Sequence, residues 1–257
     1  MMERVLFVNS RNKTLVGHLY PSHSQSIIIM AYGFTSDKCS KGRFEILANT
    51  FNQSGFHVLT FDFSGCGESD DDSLTVDKEV DDLQAAIQFV KSRGYQKIGL
   101  YGHSLGSLIC LKSYTPEIET MVLSGALTDT MKYDWDEYFS KEQMTELKEK
   151  GCLTIKREGN FRNKIVIDKQ MLRDFEEINQ PELLKRVKCP VLIIHGNNEK
   201  DEEELLLLER SKRGMQYLSK NSKLQIIDGA THSFLEHLDI LKHLANHWYV
   251  KHMGKGT

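Results

Sequence analysis

The segment Gly102-His103-Ser104-Leu105-Gly106 sets one serine between two glycines at alternate positions. It lies directly after the β-branched run Lys97 to Tyr101 and directly before the helical stretch Leu105 to Ser113. A chain turning from strand to helix within these few residues forces the serine into a strained conformation, and only residues without side chains fit beside it. Composition alone yields a Gly-x-Ser-x-Gly pattern in about one chain in ten of this length. The strand before and the helix after are what make it a nucleophile site. A serine hydroxyl attacks only when a base takes its proton and a carboxylate orients that base. His232 is the candidate base, in the loop Asp228-Gly229-Ala230-Thr231-His232-Ser233-Phe234 that follows the run Lys223 to Ile227. Two carboxylates after the run Val191 to His195 are eligible to orient it, Asp201 and Glu199. Glu202, Glu203 and Glu204 need no catalytic role, because acidic side chains in a first helical turn are stabilised by the helix dipole. The oxyanion formed on attack needs two backbone N–H donors. Leu105, next to the nucleophile, supplies one; Phe34, after Gly33 in the loop Tyr32 to Lys38, is the candidate for the other.

The surrounding elements must hold these loops on one edge of the molecule. Short apolar runs alternate with longer amphipathic ones, which predicts an α/β fold with a mostly parallel central sheet and helices on both faces. Arg4 to Val8 and Leu15 to Tyr20 flank a polar turn and read as a hairpin of edge strands. Buried-type strands follow at Ser26 to Ala31, His57 to Phe63, Lys97 to Tyr101, Thr120 to Leu123, Val191 to His195 and Lys223 to Ile227. Val80, Leu83, Ile87 and Val90 form one apolar stripe on a helix closed by Gly94. The rhythm breaks between Thr128 and Lys188, where a helix over Lys141 to Lys150, two β-like pieces at Leu153 to Lys156 and Lys164 to Ile167, and a helix near Lys169 to Glu177 predict an inserted cap. The expected division is therefore a core of residues 1–127 and 189–257 with a cap at 128–188, placed over the C-terminal strand ends where open α/β sheets bind ligands.

Together, Gly33 to Lys38, Asp62-Phe63-Ser64-Gly65-Cys66-Gly67-Glu68-Ser69, Gly102 to Gly106, Cys189 to Gly196 and Gly229 to Phe234 resemble the α/β-hydrolase superfamily over nearly the whole chain. The small cap with short β pieces is most similar to that of bacterial cinnamoyl (feruloyl) esterases, with monoacylglycerol lipases and acyl-peptidase-like hydrolases close behind. The resemblance implies a carboxylic-ester hydrolase working through a serine acyl-enzyme on small acyl or aryl esters, without metal or organic cofactor, and the chain's N-terminus and cysteines read as cytoplasmic. A thioesterase or acyl-amide hydrolase would use the same triad; a non-catalytic ligand-binding member of the fold is the alternative from another class. Two departures stand out. Tyr32 occupies the place where the family usually has His. The stretch Glu199 to Asp201 carries about two extra residues before the acidic run. The family's spacing from the strand-end His195 selects Glu199 as the acid, whereas alignment from the following helix selects Asp201, which is preferred because Asp is the commoner triad acid.

Gross composition agrees with this reading. The 257 residues are 40% hydrophobic and 27% charged with a formal net charge of -3, enough for a large core and without the basic footprint of a nucleic-acid binder. The first residues lack a signal-peptide core and the apolar runs are too short to span a bilayer. Five scattered cysteines match no zinc spacing and suit a reducing compartment. The expected partner is a small-molecule ester; a homodimer is compatible with the sequence. Gly65-Cys66-Gly67 lacks the third glycine of a dinucleotide loop, and His243 and His247 lack the Glu of a metalloprotease motif, so both read as structural. His103 and His195 read as packing and hydrogen-bonding residues. Tyr133, Trp135 and Tyr138 either line an aryl pocket or pack the cap.

Overall fold

Continuous β-branched runs with no polar face can only sit where both faces of a sheet are covered. The computed structural model, which describes residues 2–157 and 162–254, has that arrangement. An outer hairpin is built from β1 (Glu3–Val8) and β2 (Thr14–Tyr20). The chain then alternates through β3 (Ser26–Ala31), α1 (Arg43–Gln53), β4 (His57–Phe61), the short β5 (Ser73–Leu74), α2 (Val76–Ser92), β6 (Lys97–His103), α3 (Leu105–Lys112) and β7 (Ile118–Ser124). Next come α4 (Trp135–Tyr138), α5 (Lys141–Lys150), β8 (Cys152–Lys156), β9 (Lys164–Asp168), α6 (Lys169–Asp174) and α7 (Gln180–Lys185). The last elements are β10 (Val191–Gly196), α8 (Glu202–Gly214), β11 (Lys223–Ile227) and α9 (Leu238–Met253).

Eight strands form the main sheet in the order β1-β2-β4-β3-β6-β7-β10-β11. The pairs made by β2 with β1 and with β4 are antiparallel and the rest are parallel. This is the α/β-hydrolase fold. Every residue of β3, β4 and β10 is buried, whereas β1 and β11, on the sheet edges, alternate or open to solvent. On α2, Leu83, Ile87 and Val90 are buried, and Thr75 caps its start by accepting from the Lys78 N–H.

The expected strand and helix runs all fall on observed elements, with ends shifted by a few residues. A second sheet, in the order β5-β9-β8, stands apart from the first. Its hairpin β8–β9 belongs to the expected cap, but β5 comes from the loop after β4, so the cap is hydrogen-bonded into the core through Ser73 and Leu74. Residues 158–161 of the expected cap lie outside the described residues. Tyr133, Trp135, Tyr138, Phe139 and Phe175 stack on one another and reach Phe34, with ring centroids 5.6 Å apart between Phe34 and Phe175. That cluster packs the expected cap segment against the loop after β3. Among the described residues no helix is long and apolar enough to cross a membrane.

Candidate active site

Ser104 stands between β6 and α3 with φ 55° and ψ -124°, a conformation that an L-residue adopts only when its surroundings enforce it. The two flanking glycines show what enforces it. A Cβ on Gly106 would lie 2.2 Å from the Ala31 carbonyl oxygen, and one on Gly102 would lie 2.7 Å from the Gly106 oxygen and from Ser107 Cα. The elbow is therefore pressed against β3 and its own helix. It is fastened by the Ser104 N–H donating to the Ser124 carbonyl at 3.0 Å, and by Ser107 Oγ, which accepts from the Leu127 N–H at 2.8 Å.

The Ser104 hydroxyl lies 2.9 Å from His232 Nε2, and His232 Nδ1 lies 2.6 Å from Glu204 Oε2. The carboxylate beside His232 is thus neither of the two expected. Asp201 is the N-cap of α8: its Oδ1 accepts from the Glu204 N–H at 3.0 Å and its Oδ2 from the His232 backbone N–H at 2.7 Å. Glu199 is exposed at the tip of the preceding turn. Glu204 is the third residue of α8 and is fully buried. Helical side chains lean toward the N-terminus, and a Glu at this position ordinarily folds back onto the start of its own helix. Here it folds back past Asp201 onto the end of β10, where the Gly196 N–H donates to Oε1 at 2.8 Å. The dipole explanation holds for exposed Glu202 and misses Glu204. The readable signal was the pair Asp201 and Glu204 in capping-box spacing, which commits the Asp to the cap and turns the Glu inward.

A second histidine meets the same carboxylate. His195 Nδ1 lies 2.8 Å from Glu204 Oε1, and its Nε2 lies 2.8 Å from Ser211 Oγ, all fully buried. Burial alone would raise the Glu204 carboxyl, but hydrogen bonds from His195 and His232 and their charge outweigh it and hold it at about 2. An ionised carboxylate can only accept, so both Nδ1 atoms carry hydrogen and His232 Nε2 is left as the acceptor for the serine proton. Burial lowers the His232 pKa, yet the hydrogen bond and charge of Glu204, with Glu203 and Asp201 behind it, bring it above the ordinary 6.5. His103 packs 5.1 Å from the His232 ring and hydrogen-bonds Ser124 Oγ through Nδ1. Burial, with Arg43 and His232 nearby, pushes its pKa well below the usual imidazole range and keeps it neutral. Gly125, at φ +53°, leaves room for His232: a Cβ there would sit 2.7 Å from His232 Cε1.

The loop after β3 lies against Ser104, since a Cβ on Gly33 would be 3.0 Å from Ser104 Cβ. Phe34 follows it, and the Leu105 N–H is one of the first-turn donors that a helix leaves without an intrahelical partner. Both expected donor residues thus flank Ser104. The loop's anchorage accounts for the two motifs around it. Tyr32 Oη accepts from the Phe63 N–H at 2.7 Å, so the tyrosine found in place of histidine supplies its own tie. Buried Lys38 donates to Asp62 at 2.6 Å and Glu68 at 2.5 Å, while Asp62 also accepts from the Lys38 and Glu68 N–H groups. Gly67 is obligatory in this knot, because a Cβ would fall 2.2 Å from the Asp62 carboxylate.

Residues 22–174 match the Hydrolase_4 family, described as serine aminopeptidase, S33. The chain belongs to this family. A relative of this Hydrolase_4 chain, an uncharacterized 31.7 kDa protein of the traX-finO intergenic region of Escherichia coli, is 33% identical over 85 residues. That match covers 31% of the chain and spans 29% of the relative's length. Among solved structures, an esterase of Pyrococcus furiosus superimposes with a TM-score of 0.78 at 19% identity, covering 99% of this chain and 92% of that one. Est1E of Butyrivibrio proteoclasticus, solved with ferulic acid bound, gives 0.76 at 20% identity over 98% and 100%. The α/β hydrolase GrgF of a Penicillium species gives 0.76 at 17% identity over 98% and 99%. At such identities these likenesses speak to the fold.

Proposed function

We propose that this Hydrolase_4 protein hydrolyses carboxylic esters of small acyl or aryl groups through an acyl-enzyme on Ser104. The observation that carries the reading is the unbroken line from Ser104 Oγ to His232 at 2.9 Å and from His232 to Glu204 at 2.6 Å, set at a strained strand-to-helix turn. In this mechanism the Ser104 oxygen bonds to the acyl carbon while its proton passes to His232 Nε2. Ionised Glu204 stabilises the imidazolium, and the N–H groups of Phe34 and Leu105 hold the oxyanion. His232 then returns the proton to the departing alcohol, and water repeats the sequence to release the acid. The reaction space is a cavity of about 680 Å³, a volume suited to a small ligand, lined by Gly33, Phe34, Ser104, His232 and, from the β8–β9 turn, Arg157. Residues 128–188 act as its cap: Arg157 donates to the Thr35 carbonyl and thereby ties the cap to the oxyanion loop. Unpaired cysteines, with Cys66, Cys110 and Cys189 buried, fit a protein that works in the reducing cytoplasm.

The test is labelling by a fluorophosphonate probe, followed by turnover of nitrophenyl esters of graded chain length and of hydroxycinnamate esters. Ser104→Ala is expected to lose labelling and to lower kcat by about a million-fold while remaining folded, since members of a triad act as a unit. Labelling and turnover at the parent level in that variant would refute the assignment.

A further inference from the structure

Arg43, the first residue of α1, lines the same cavity as Ser104 and is only 7% exposed. Its partners are neutral: Nη1 donates to the Ser233 carbonyl at 2.6 Å and Nη2 to Ser40 Oγ at 2.8 Å. Its Nε is buried without any partner, and among the described residues no carboxylate comes within ion-pair distance of the guanidinium. The other carboxylates on the cavity wall are engaged elsewhere. Asp37 accepts from the Cys39 and Ser40 N–H groups, Asp201 from those of Glu204 and His232, and Glu203 from the Tyr133 hydroxyl. Burial pushes the Arg43 pKa down, and the Tyr101 phenol opposes that shift.

A buried cation without a counter-charge is costly, and folds rarely keep one unless something returns the lost solvation. Neutral acceptors satisfy N–H groups but leave the charge uncompensated. Exposed Lys41 and half-buried Arg157 stand on the same wall, so three cations share it with the three carboxylates just named, and Arg43 is the buried one of the three cations. A guanidinium facing a cavity is also the side chain best shaped to grip a planar or tetrahedral oxyanion.

We infer that Arg43 is a specificity residue that receives an oxyanion group of the substrate, so that the preferred ester carries a carboxylate or phosphate beside the bond that Ser104 attacks. This deepens the esterase reading and rests on it for the word ester, but the anion subsite itself can be tested without turnover.

In the kinetic arm, 4-nitrophenyl hemiglutarate is compared with 4-nitrophenyl valerate, and 4-carboxyphenyl valerate with phenyl valerate, which places the charge on either side of the ester. The charged member of at least one pair should be favoured in kcat/KM by about 10–100-fold, the range of one charge-assisted hydrogen bond. Arg43→Gln, which removes the charge and keeps a polar amide, should erase that ratio, and Arg43→Lys should retain part of it. Taking the ratio within each variant cancels any general loss of activity. In the binding arm, Ser104→Ala protein is titrated calorimetrically with glutarate, inorganic phosphate and neutral glutaramide. Binding of glutarate or phosphate that weakens tenfold or more on adding Arg43→Gln supports the subsite, and the two anions tell a carboxylate site from a phosphate site. Anion binding without turnover of any ester would sink the esterase reading and leave the subsite standing. Turnover with no charge preference in either pair, or anion affinity that Arg43→Gln and Arg43→Lys leave unchanged, would overturn the inference.

Discussion

Replacing Glu204 by Gln exchanges one carboxylate oxygen for an NH2 group at almost constant volume, in a place where both oxygens already accept from imidazole N–H groups. Whichever way the amide turns, one histidine faces a donor. His195 can adapt, because its other nitrogen meets a serine hydroxyl that can either give or take a proton. If the amide oxygen is drawn instead to His195 and the Gly196 N–H, His232 must move its hydrogen to Nε2, where it can no longer accept the Ser104 proton. A wrong-tautomer triad of this kind loses about ten-thousand-fold in kcat. That corresponds to about 5.4 kcal/mol of transition-state stabilisation. The folding cost should be smaller, about 1–3 kcal/mol for a disturbed buried hydrogen bond to a charged group. The assay is kcat on one activated ester for Glu204→Gln beside Asp201→Asn and Glu199→Gln, with thermal melts of each. Glu199→Gln should match the parent, because its side chain is exposed and makes no contact with His232. Asp201→Asn keeps an oxygen for one of its two N–H donors and should lose far less than Glu204→Gln. A deep loss in Asp201→Asn or Glu199→Gln, with Glu204→Gln near parent activity, would refute the reasoning.

Three further outcomes follow from the same geometry. Because Glu204 raises the His232 pKa above 6.5, kcat/KM should fall as pH drops through a midpoint above 6.5, and Glu204→Gln should move the midpoint of any residual activity downward; a pH profile checks this, and an unmoved midpoint would contradict it. The carboxyl held at about 2 adds stability that is complete above its ordinary value of 4.5 and is lost as pH falls toward 2, so acid melts of the parent should show a loss across that window that Glu204→Gln lacks. Gly125→Ala places a methyl 2.7 Å from the His232 ring at a left-handed backbone position. Displacing the imidazole by a fraction of an ångström should cut kcat by about 10–100-fold with a modest fall in melting temperature; parent-level kcat would show that the ring has more freedom than its packing implies.

The sheet was legible because its strands are buried on both faces and so read as apolar runs, and the elbow that holds Ser104 because a strand-to-helix turn this tight admits only glycine beside the serine. His232 was legible from its place after the last strand. The carboxylate beside the His232 ring was not, for a physical reason: position after a strand reports which residues are near in sequence, whereas Glu204 reaches its partner through the lean of a helical side chain. Asp201, the preferred candidate, holds the His232 backbone, while Glu204 holds the ring. Arg43 escaped notice because an arginine opening a helix after a glycine looks like any surface residue until burial is known. The role of β5 was equally hidden, since two residues carry no periodicity.

The turn between β10 and α8 separates fastening from chemistry. Asn197 and Asn198 tether it to the neighbouring loop through Asp228 and Gly229, and Asp201 and Glu204 belong to the helix that follows. Glu199 and Lys200 sit between these two moorings with their side chains in solvent. The Ser104–His232–Glu204 line is thus indexed to the start of α8 and not to a count of residues from the strand, which makes the crest of this turn a natural point for a short insertion, a dye or an affinity handle close to Glu204 in sequence, yet outside its hydrogen bonds.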